Sequence, residues 1–275
     1  MQPVPLRCPV CGQPLHLEQK CAQCGAGHSF DRGANGYLNL LLPQKKHSAN
    51  PGDDPQSLRA RRAFLEAGHY RCLSDEINRT AVRLLRGQTE PLIADCCCGE
   101  GYYTRRLYDC LSKLGSAPRM VGFDISKHGV RMAACRTSPI QFVAASVFDI
   151  PLADRSVDLA VHAFAPFCDA EVSRVLRPGG WLLSVVPGRR HLYGLKQALY
   201  DTPYENDGQG VKTALRRVDQ TKTAGLLTLT DRVEIARLFQ MTPYSFRCGQ
   251  EAARQLLARE TLCTEIEFIL DIYQK

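Results

Sequence analysis

The sequence predicts an α/β fold with a mainly parallel sheet, preceded by a small metal-binding module. Apolar runs of strand length lie at 91–95, 119–123, 140–145, 157–163 and 180–186, and helical patterns lie between them at 101–114, 127–136 and 168–177. Strands that alternate with helices of this length indicate right-handed βαβ units, and hence a doubly wound sheet. Residues 1–40 are instead rich in cysteine and glycine, and have too few large apolar residues to fold without a bound metal or another cross-link.

Length and composition are those of a folded globular protein with one large and one small domain. Of the 275 residues, 44% are hydrophobic and 23% are charged. No apolar stretch approaches the ~18 residues of a membrane span, and the N-terminus lacks the apolar region of a signal peptide. We therefore expect a cytoplasmic protein with no membrane partner, whose 13 cysteines stay reduced or bind metal. The net charge of +7 modestly favours a polyanionic partner.

The predicted boundaries give a zinc-binding module at 1–40, a linker at 41–57 and a large α/β domain at 58–275. The linker is rich in Pro, Gly and Asp, and residues 58–90 after it have helical periodicity. Beyond residue 187 the pattern weakens. We predict a helix to residue 200, an irregular polar stretch to 224, strand structure at 225–229, a helix at 251–260 and a last strand at 264–273.

Two C-x2-C-G elements near the N-terminus indicate a structural zinc site. Cys8 and Cys11 form the first element, Cys21 and Cys24 the second, and His28 follows four residues later. Tetrahedral zinc needs four such ligands, so the set is either the four cysteines or Cys8, Cys11, Cys24 and His28. Local chemistry alone favours the four cysteines. A redox C-x2-C pair is disfavoured, because neither element lies at a strand-to-helix junction.

A turn of small residues follows the first predicted strand of the α/β domain. Residues 92–101 read LIADCCCGEG, in which Asp95 begins a D-x-G-x-G-x-G outline with Cys97 in place of the first glycine. Gly99 and Gly101 let the backbone close on a ligand at the strand end, where open α/β sheets bind ligands. A nicotinamide-binding loop would look similar and would present helix N-terminal amides to a pyrophosphate.

Three further features favour a different cofactor. The first is Asp124, which ends the second strand, where a carboxylate can bond both ribose hydroxyls of an adenosine. The second is the pair of runs DIP (149–151) and SVD (156–158), and the third is RPGG (177–180). This series resembles the class I S-adenosylmethionine-dependent methyltransferases, which have a Rossmann-like, mainly parallel sheet. The resemblance implies S-adenosylmethionine as the cofactor, with Asp95 on its ammonium side.

A more specific resemblance extends over nearly the whole chain. The runs that carry it are GYLNLL (36–41), PGD (51–53), RRAFLEAGHY (61–70), CGEGYYT (98–104), PGRRHL (187–192) and QMTP (240–243). Together with the paired cysteines they are similar to the RlmA family of 23S rRNA (guanine-N1)-methyltransferases. The likeness is weakest in residues 201–225 and in the last twenty residues.

The family resemblance implies particular ligands for both cofactors. Its metal pattern, C-x2-C-x12-C-x3-H, falls on Cys8, Cys11, Cys24 and His28, and overrides the local preference for Cys21. Its cofactor contacts fall on Tyr70, Gly99, Glu100 and His191. The departure is Cys97, which we expect to crowd the turn slightly without abolishing activity.

The resemblance also implies a substrate, which is a guanine in a hairpin loop of 23S ribosomal RNA at conventional position 745 or 748. Methylation at N1 requires an unpaired base, because N1 is a Watson–Crick donor. Phe164 and Phe167 follow strand 157–163 at the cofactor edge and could stack on guanine, although core packing explains them equally well. The arginines that we predict to surround the mouth of the cofactor pocket, as a rim that binds RNA phosphates, are Arg61, Arg62, Arg189 and Arg190.

Two other functions remain open from the sequence. A class I methyltransferase acting on a small molecule would share the cofactor motifs, and the zinc module and basic residues argue against it. A non-catalytic RNA-binding protein would not need the intact Asp95, Gly99, Gly101 and Asp124. No residue identifies itself as the base that removes the N1 proton, and a homodimer is a possible assembly.

Overall fold

The computed structural model describes residues 3–45, 48, 51–136 and 139–275, so residues 46, 47, 49 and 50 of the predicted linker lie outside the description. The strands are β1 (Leu15–Leu17), β2 (Cys21–Cys24), β3 (Ser29–Asp31), β4 (Leu38–Asn39), β5 (Leu92–Cys96), β6 (Arg119–Asp124), β7 (Gln141–Ala144), β8 (Val157–Ala163), β9 (Leu176–Pro187), β10 (Arg216–Leu229) and β11 (Leu262–Gln274). The helices are α1 (Pro55–Glu66), α2 (Arg71–Leu84), α3 (Tyr102–Lys113), α4 (Lys127–Ala134), α5 (Asp169–Val175), α6 (Tyr193–Leu199), α7 (Arg232–Gln240) and α8 (Gln250–Ala258). Short 3-10 helices cover Ala34–Gly36, Pro43–Lys45 and Pro243–Phe246.

An eight-stranded sheet in the order β10-β11-β9-β8-β5-β6-β7-β4 forms the centre of the molecule. The six strands from β9 to β4 run parallel to one another, whereas β11 pairs antiparallel with both β9 and β10. This confirms the predicted α/β fold with a mainly parallel sheet. The carboxyl ends of β5 and β6 lie side by side, and parallel sheets of this kind bind ligands at that edge. None of the described helices is both long and apolar enough to span a membrane.

The sheet separates two hydrophobic cores, and β5 contributes to both. All its residues are buried, with Ile93 on the face covered by Phe64 of α1 and Ile77 of α2, and Leu92 on the opposite face. Successive side chains of a strand point to opposite faces, which is why a doubly covered strand reads as a continuous apolar run. The N-terminal module supplies Leu6 to the second core.

The N-terminal module is therefore joined to the large sheet in several places. Its own sheet has the order β1-β2-β3, but β4 pairs in parallel with β7 at the edge of the large sheet. Leu6 also forms an isolated bridge with Leu152, and the amide of Arg7 donates to the carbonyl of Pro151 at 3.0 Å. The metal-binding segment packs on the sheet through both backbone pairing and buried side chains.

Helix α1 begins in the segment predicted as linker. Asp54 caps it, because its side chain accepts hydrogen bonds from the amides of Gln56 and Ser57, and Pro55 occupies the first turn. Proline is favoured there, since the first helical amides have no partner within the helix. The predicted helical region 58–90 divides into α1 and α2, with the GHY segment between them.

The C-terminal region differs most from the sequence-based prediction. Residues 216–224 were predicted to be irregular, but they belong to the long strand β10, which forms the sheet edge. Before Leu227 the half-buried face of this strand carries the polar residues Asp219, Thr221 and Thr223, so the sequence lacks the alternation of apolar and polar residues that reveals a half-buried strand. Helix α7, which was not predicted, packs against α1.

Candidate active site and metal centre

The structure brings together four potential metal ligands in the N-terminal module. One ligand atom from each of Cys8, Cys11, Cys24 and His28 lies within 4.8 Å of the other three. The Sγ atoms of Cys11 and Cys24 are 3.7 Å apart, and Nδ1 of His28 lies 3.4 Å from Sγ of Cys24. A tetrahedral zinc with bonds of roughly 2.0–2.3 Å needs ligand atoms at about this spacing. The donor set therefore fits zinc.

Cys21 lies outside this cluster, contrary to the preference from local chemistry. Its Sγ donates to Oε2 of Glu18 at 3.4 Å. The reason is that the second C-x2-C element is the strand β2, in which residues three apart point to opposite faces. Cys24 and His28 instead approach each other across a turn, and the amide of Cys24 donates to the carbonyl of His28 at 3.0 Å.

The loop between β5 and α3 is tightly coiled. Cys97, Gly99 and Gly101 all have left-handed backbone conformations, with φ of 68°, 55° and 84°. A Cβ at Gly101 would lie 2.8 Å from the Cβ of Ala133, so glycine is required there for space as well as for φ. Cys97 adopts the left-handed conformation although it has a Cβ, so the backbone is strained at the position where we expected crowding.

Two carboxylates end the adjacent parallel strands β5 and β6 beside this loop. Asp95 is buried, and Oγ1 of Thr104 donates to its Oδ2 at 2.5 Å. Burial raises the pKa of Asp95 to about 6, the Thr104 hydroxyl opposes the shift, and the charge of Asp124 adds to it. A buried carboxylate with a raised pKa is ready to receive a cationic partner.

Asp124 holds the loop through both carboxylate oxygens. Oδ2 accepts from the amide of Gly99 at 2.9 Å, and Oδ1 accepts from the amide of Ser126 at 2.7 Å. Burial raises the pKa of Asp124, and these two amide hydrogen bonds oppose the shift. Each oxygen has capacity for a second donor, so the side chain can still bond two ribose hydroxyls.

Tyr70 and His191 meet although they are far apart in sequence. Oη of Tyr70 lies 3.4 Å from Nε2 of His191, and both rings pack on Phe268 of β11, with centroid distances of 4.9 and 4.8 Å. Both side chains are buried. Burial lowers the pKa of His191 to about 4, with a contribution from the positive charge of Lys196, so the ring is neutral near pH 7.

Glu100 and Arg61 contact the glycine loop in different ways. The carboxylate of Glu100 is buried, forms an ion pair with Arg136 and accepts from the amide of Tyr102 at 3.2 Å. It therefore holds the first turn of α3 in place. Arg61 lies above Gly99, 3.6 Å from the position of a Cβ there, and pairs with Asp53.

The two phenylalanines of the predicted acceptor loop have different surroundings. Phe164 is 43% exposed, has φ of 55°, and lies parallel to the ring of His191 at a centroid distance of 6.3 Å. Phe167 packs edge-on against His162 at 5.3 Å, and Nε2 of His162 lies 2.9 Å from the carbonyl of Ala165. Phe164 is the better placed of the two to receive a base.

The four predicted rim arginines are all paired with carboxylates. Arg189 pairs with Glu205 at 2.9 Å and its side chain is 72% exposed, while Arg190 pairs with Glu265 at 2.6 Å. Arg62 pairs with Glu66 on the same helix, in addition to the Arg61 pair described above. Exposed pairs of this kind contribute about 0–1 kcal/mol, so phosphates can replace the carboxylates at little cost.

Tyr103 is a site residue that the sequence analysis missed. Its hydroxyl oxygen is buried and has no hydrogen-bond partner among the described residues. It lies in the first turn of α3, directly after the glycine loop. A buried hydroxyl without a described partner at this position fits a polar ligand group bound beside the loop. The run GYYT contained it, but nothing in the run distinguished Tyr103 from a packing residue.

Comparison with known proteins agrees with both parts of the structure. Residues 6–49 match the family model described as RlmA, N-terminal, a zinc ribbon, and residues 93–180 match a methyltransferase domain. The second match covers the strands and the loop that form the candidate cofactor site. The protein therefore has a methyltransferase domain, and a zinc-ribbon module before it.

Three curated relatives align over most of the chain. The 23S rRNA (guanine(748)-N(1))-methyltransferase of Streptomyces fradiae is 32% identical over 92% of this chain and 79% of its own length. A protein of Micromonospora griseorubida, provisionally named a 23S rRNA (guanine-N(1)-)-methyltransferase, is 38% identical over 70% of this chain and 69% of its own. A Bacillus subtilis protein with the same provisional name is 29% identical over 97% of this chain and 95% of its own length. The chain belongs to the RlmA family of 23S rRNA (guanine-N1)-methyltransferases.

Proposed function

We propose that this protein transfers a methyl group from S-adenosylmethionine to N1 of a guanine in a hairpin loop of 23S ribosomal RNA, at position 745 or 748. The observation that carries the proposal is the pair of buried carboxylates, Asp95 and Asp124, beside the glycine loop at the ends of adjacent parallel strands. A second group, in which Tyr70 and His191 meet beside the half-exposed Phe164, supports it. The S. fradiae relative, named for guanine 748, supports this substrate.

The chain's own residues would bind the cofactor as follows. Asp95 faces the ammonium group, and Asp124 accepts hydrogen bonds from the two ribose hydroxyls. Gly99, Gly101 and the backbone of Glu100 form the surface on which the cofactor lies, while Tyr70 and His191 border its reactive end. When bound, S-adenosylmethionine supplies a methyl group on a positively charged sulfur, and transfer removes that charge.

Phe164 would stack on the target guanine and hold its N1 towards the cofactor. Stacking of a base on an aromatic side chain contributes about 1–3 kcal/mol. The left-handed backbone conformation of Phe164 is strained, and strained residues of this kind are found at binding sites. Phe167 would support the loop from behind through its contact with His162. The guanine must be unpaired for this geometry, which suits a hairpin loop.

The zinc ligands would be Cys8, Cys11, Cys24 and His28, and the metal would be structural because these four close the coordination shell. The division into a module at 1–40, a linker at 41–57 and a methyltransferase domain at 58–275 stays a prediction, as does a homodimer.

Arg61, Arg62, Arg189 and Arg190 would bind phosphates that flank the target base. For Arg189→Ala we expect weaker RNA binding and a slope of log affinity against log salt that is flatter by about 0.7. Arg79→Ala is the matched control, because the side chain of Arg79 is also 72% exposed and also paired, with Glu76. An unchanged slope for Arg189→Ala would exclude a phosphate contact at that residue.

The experiment that tests the function is methyl transfer to a defined RNA. The protein is incubated with methyl-labelled S-adenosylmethionine and an unmodified 23S rRNA hairpin, and the modified nucleotide is mapped. We expect one N1-methylguanine, and no label in the same hairpin with that guanine changed to adenine. Label in small-molecule extracts but not in RNA would favour the small-molecule function, and RNA binding without transfer would favour a non-catalytic protein.

A further inference from the structure

An open groove runs between α1 and α7, outside the site that contains Asp95 and Asp124. Its volume is about 510 Å³. The residues that line it recur every three or four positions on each helix, so the groove follows one face of both helices. They are Gln56, Arg59, Ala60 and Ala63 of α1, and Arg232, Val233, Ala236, Arg237 and Gln240 of α7. The alanines leave space between the helices, the arginines make the groove positively charged, and none of these lining residues is acidic.

Two of the three groove arginines can bind a negatively charged ligand at little cost. Arg59 is exposed and has no hydrogen bond or ion pair with any residue that the structure describes. Arg232 forms an ion pair with Glu260 at 3.1 Å, but both side chains are largely exposed. Exposed pairs contribute about 0–1 kcal/mol, so an anion can replace Glu260. Arg237 is less free, because Glu234 of the same helix pairs with it.

Positive charge continues from the groove to the start of α4. This helix also packs against α1, since a Cβ at Gly129 would lie 3.6 Å from Cδ1 of Leu58. Partial burial lowers the pKa of His128, and the positive charges of Arg131 and Arg59 lower it further. Arg131 is exposed and, like Arg59, has no partner in the described part of the chain. Like charges that lie close together without compensation attract a polyanion.

Hydrogen bonds to the backbone connect one end of the groove to the glycine loop. Oγ of Ser57 donates to the carbonyl of Gln240 at 2.8 Å, which joins α1 to the last residue of α7. The guanidinium of Arg61 donates to the next carbonyl, that of Met241, at 3.5 Å, and also lies 3.6 Å from the position of a Cβ at Gly99. A chain that lies in the groove therefore ends beside the candidate cofactor site.

Building on the proposed function, in which the substrate is RNA, we propose that the groove between α1 and α7 binds the sugar-phosphate backbone of that RNA a few nucleotides from the target guanine. The nine residues of α7 span about 14 Å, which is the length of about four stacked nucleotides. Arg59 and Arg232 bind phosphates, and Gln56 and Gln240 can bond phosphate or ribose oxygens. Contacts to phosphates carry no sequence information, so the groove sets the register of the RNA while Phe164 contacts the base.

The salt dependence of RNA binding tests the groove. Arg59→Ala combined with Arg232→Ala removes two phosphate contacts, so the slope of log affinity against log salt should be flatter by about 1.4, and affinity at 0.1 M salt should be about 25-fold weaker. The matched control is Arg79→Ala combined with Arg86→Ala. Arg79 is in an exposed ion pair with Glu76, and Arg86 is exposed without a described partner in the turn after α2. The control should keep the wild-type slope, although its net charge changes equally.

The length of the RNA provides a second test. The wild type and the groove variant should bind a hairpin equally once its ends are shortened to the loop with the target guanine, because the short RNA cannot reach the groove. The affinity for S-adenosylhomocysteine should be equal in all these proteins, which shows that the fold is intact. If the double variant loses this affinity, Arg59→Gln alone, which changes one exposed side chain, should flatten the slope by about 0.7.

The outcomes separate this inference from the proposed function. Equal slopes for the groove variant and the control, with normal methylation of the hairpin, would overturn the inference and leave the proposed function intact. A difference between wild type and groove variant that persists with the shortest RNA would also overturn it. If the wild-type protein neither binds nor methylates the hairpin, the inference and the proposed function fail together.

Discussion

Replacing Cys97 with glycine should relieve backbone strain in the cofactor loop, although it also removes a thiol that packs on the second core. Cys97 has φ of 68°, a conformation that costs an L-residue with a Cβ about 1–2 kcal/mol. Glycine avoids this cost but gains about 0.5–1 kcal/mol of conformational freedom in the unfolded chain. The difference leaves a gain of about 0.5–1 kcal/mol, or about 1–4 °C in Tm for a domain of this size, relative to Cys97→Ala, which loses the same thiol packing.

The neighbouring cysteine provides a control of opposite sign. Cys98 is partly buried against the core, and its Sγ lies 3.1 Å from the position of a Cβ at Gly122; its φ is not in the left-handed region. Cys98→Gly therefore loses packing and relieves no strain, and should lower Tm. Cys97→Ala also removes the thiol but keeps the Cβ and the strained φ, so it is the reference for the effect of Cys97→Gly.

The assay is thermal and urea unfolding of the three variants and the wild type, with zinc bound and no nucleoside present. The order of stability should be Cys97→Gly above Cys97→Ala, and Cys98→Gly below wild type. If Cys97→Gly is no more stable than Cys97→Ala, the left-handed conformation carries no strain and the argument is wrong.

Three further outcomes follow from the geometry. Gly101→Ala should destabilise by about 1–3 kcal/mol more than Gly115→Ala in urea, because both have φ of 84° but only Gly101 faces Ala133; equal losses would exclude the clash. His28→Ala should lose zinc by elemental analysis and Cys21→Ala should retain it, and the reverse would restore the four-cysteine set. Folding lowers the pKa of His191 to about 4, so its contribution to the free energy of unfolding is complete above about pH 6.5 and declines by up to about 3 kcal/mol towards pH 4. If His191→Gln loses the same stability over this range, another group causes the loss.

The sequence predicts best where one residue pattern has one physical cause. β5 is recognisable because a strand covered on both faces is apolar throughout, and the Asp95 turn follows because glycines are needed to coil the loop. The sheet edge β10 could not be recognised, because its half-buried face carries polar residues and so gives no apolar periodicity. The convergence of Tyr70 with His191 depends on tertiary packing, and only the family resemblance indicated it.

The position of Cys21 shows the same limit on a smaller scale. The C-x2-C spacing provides two ligands for one metal ion only if the segment is a turn, as it is around Cys8 and Cys11. Where the segment is a strand, the same letters place the two thiols on opposite faces. Local sequence did not distinguish the two cases, because the pairing of β2 with β1 and β3 decides which one occurs.

The place of β4 in the sheet has a consequence for the order of events during synthesis on the ribosome. β4 is the first strand of the large sheet to be made, yet its partner Val143 is made about 100 residues after Leu38, which takes roughly 5–20 s at ordinary elongation rates. Zinc can close the N-terminal module early, but its apolar face, including Leu6, has no sheet to cover until then. The nascent chain must carry this exposed face while about 100 further residues are made, and β4 can take its place only after β7 has emerged.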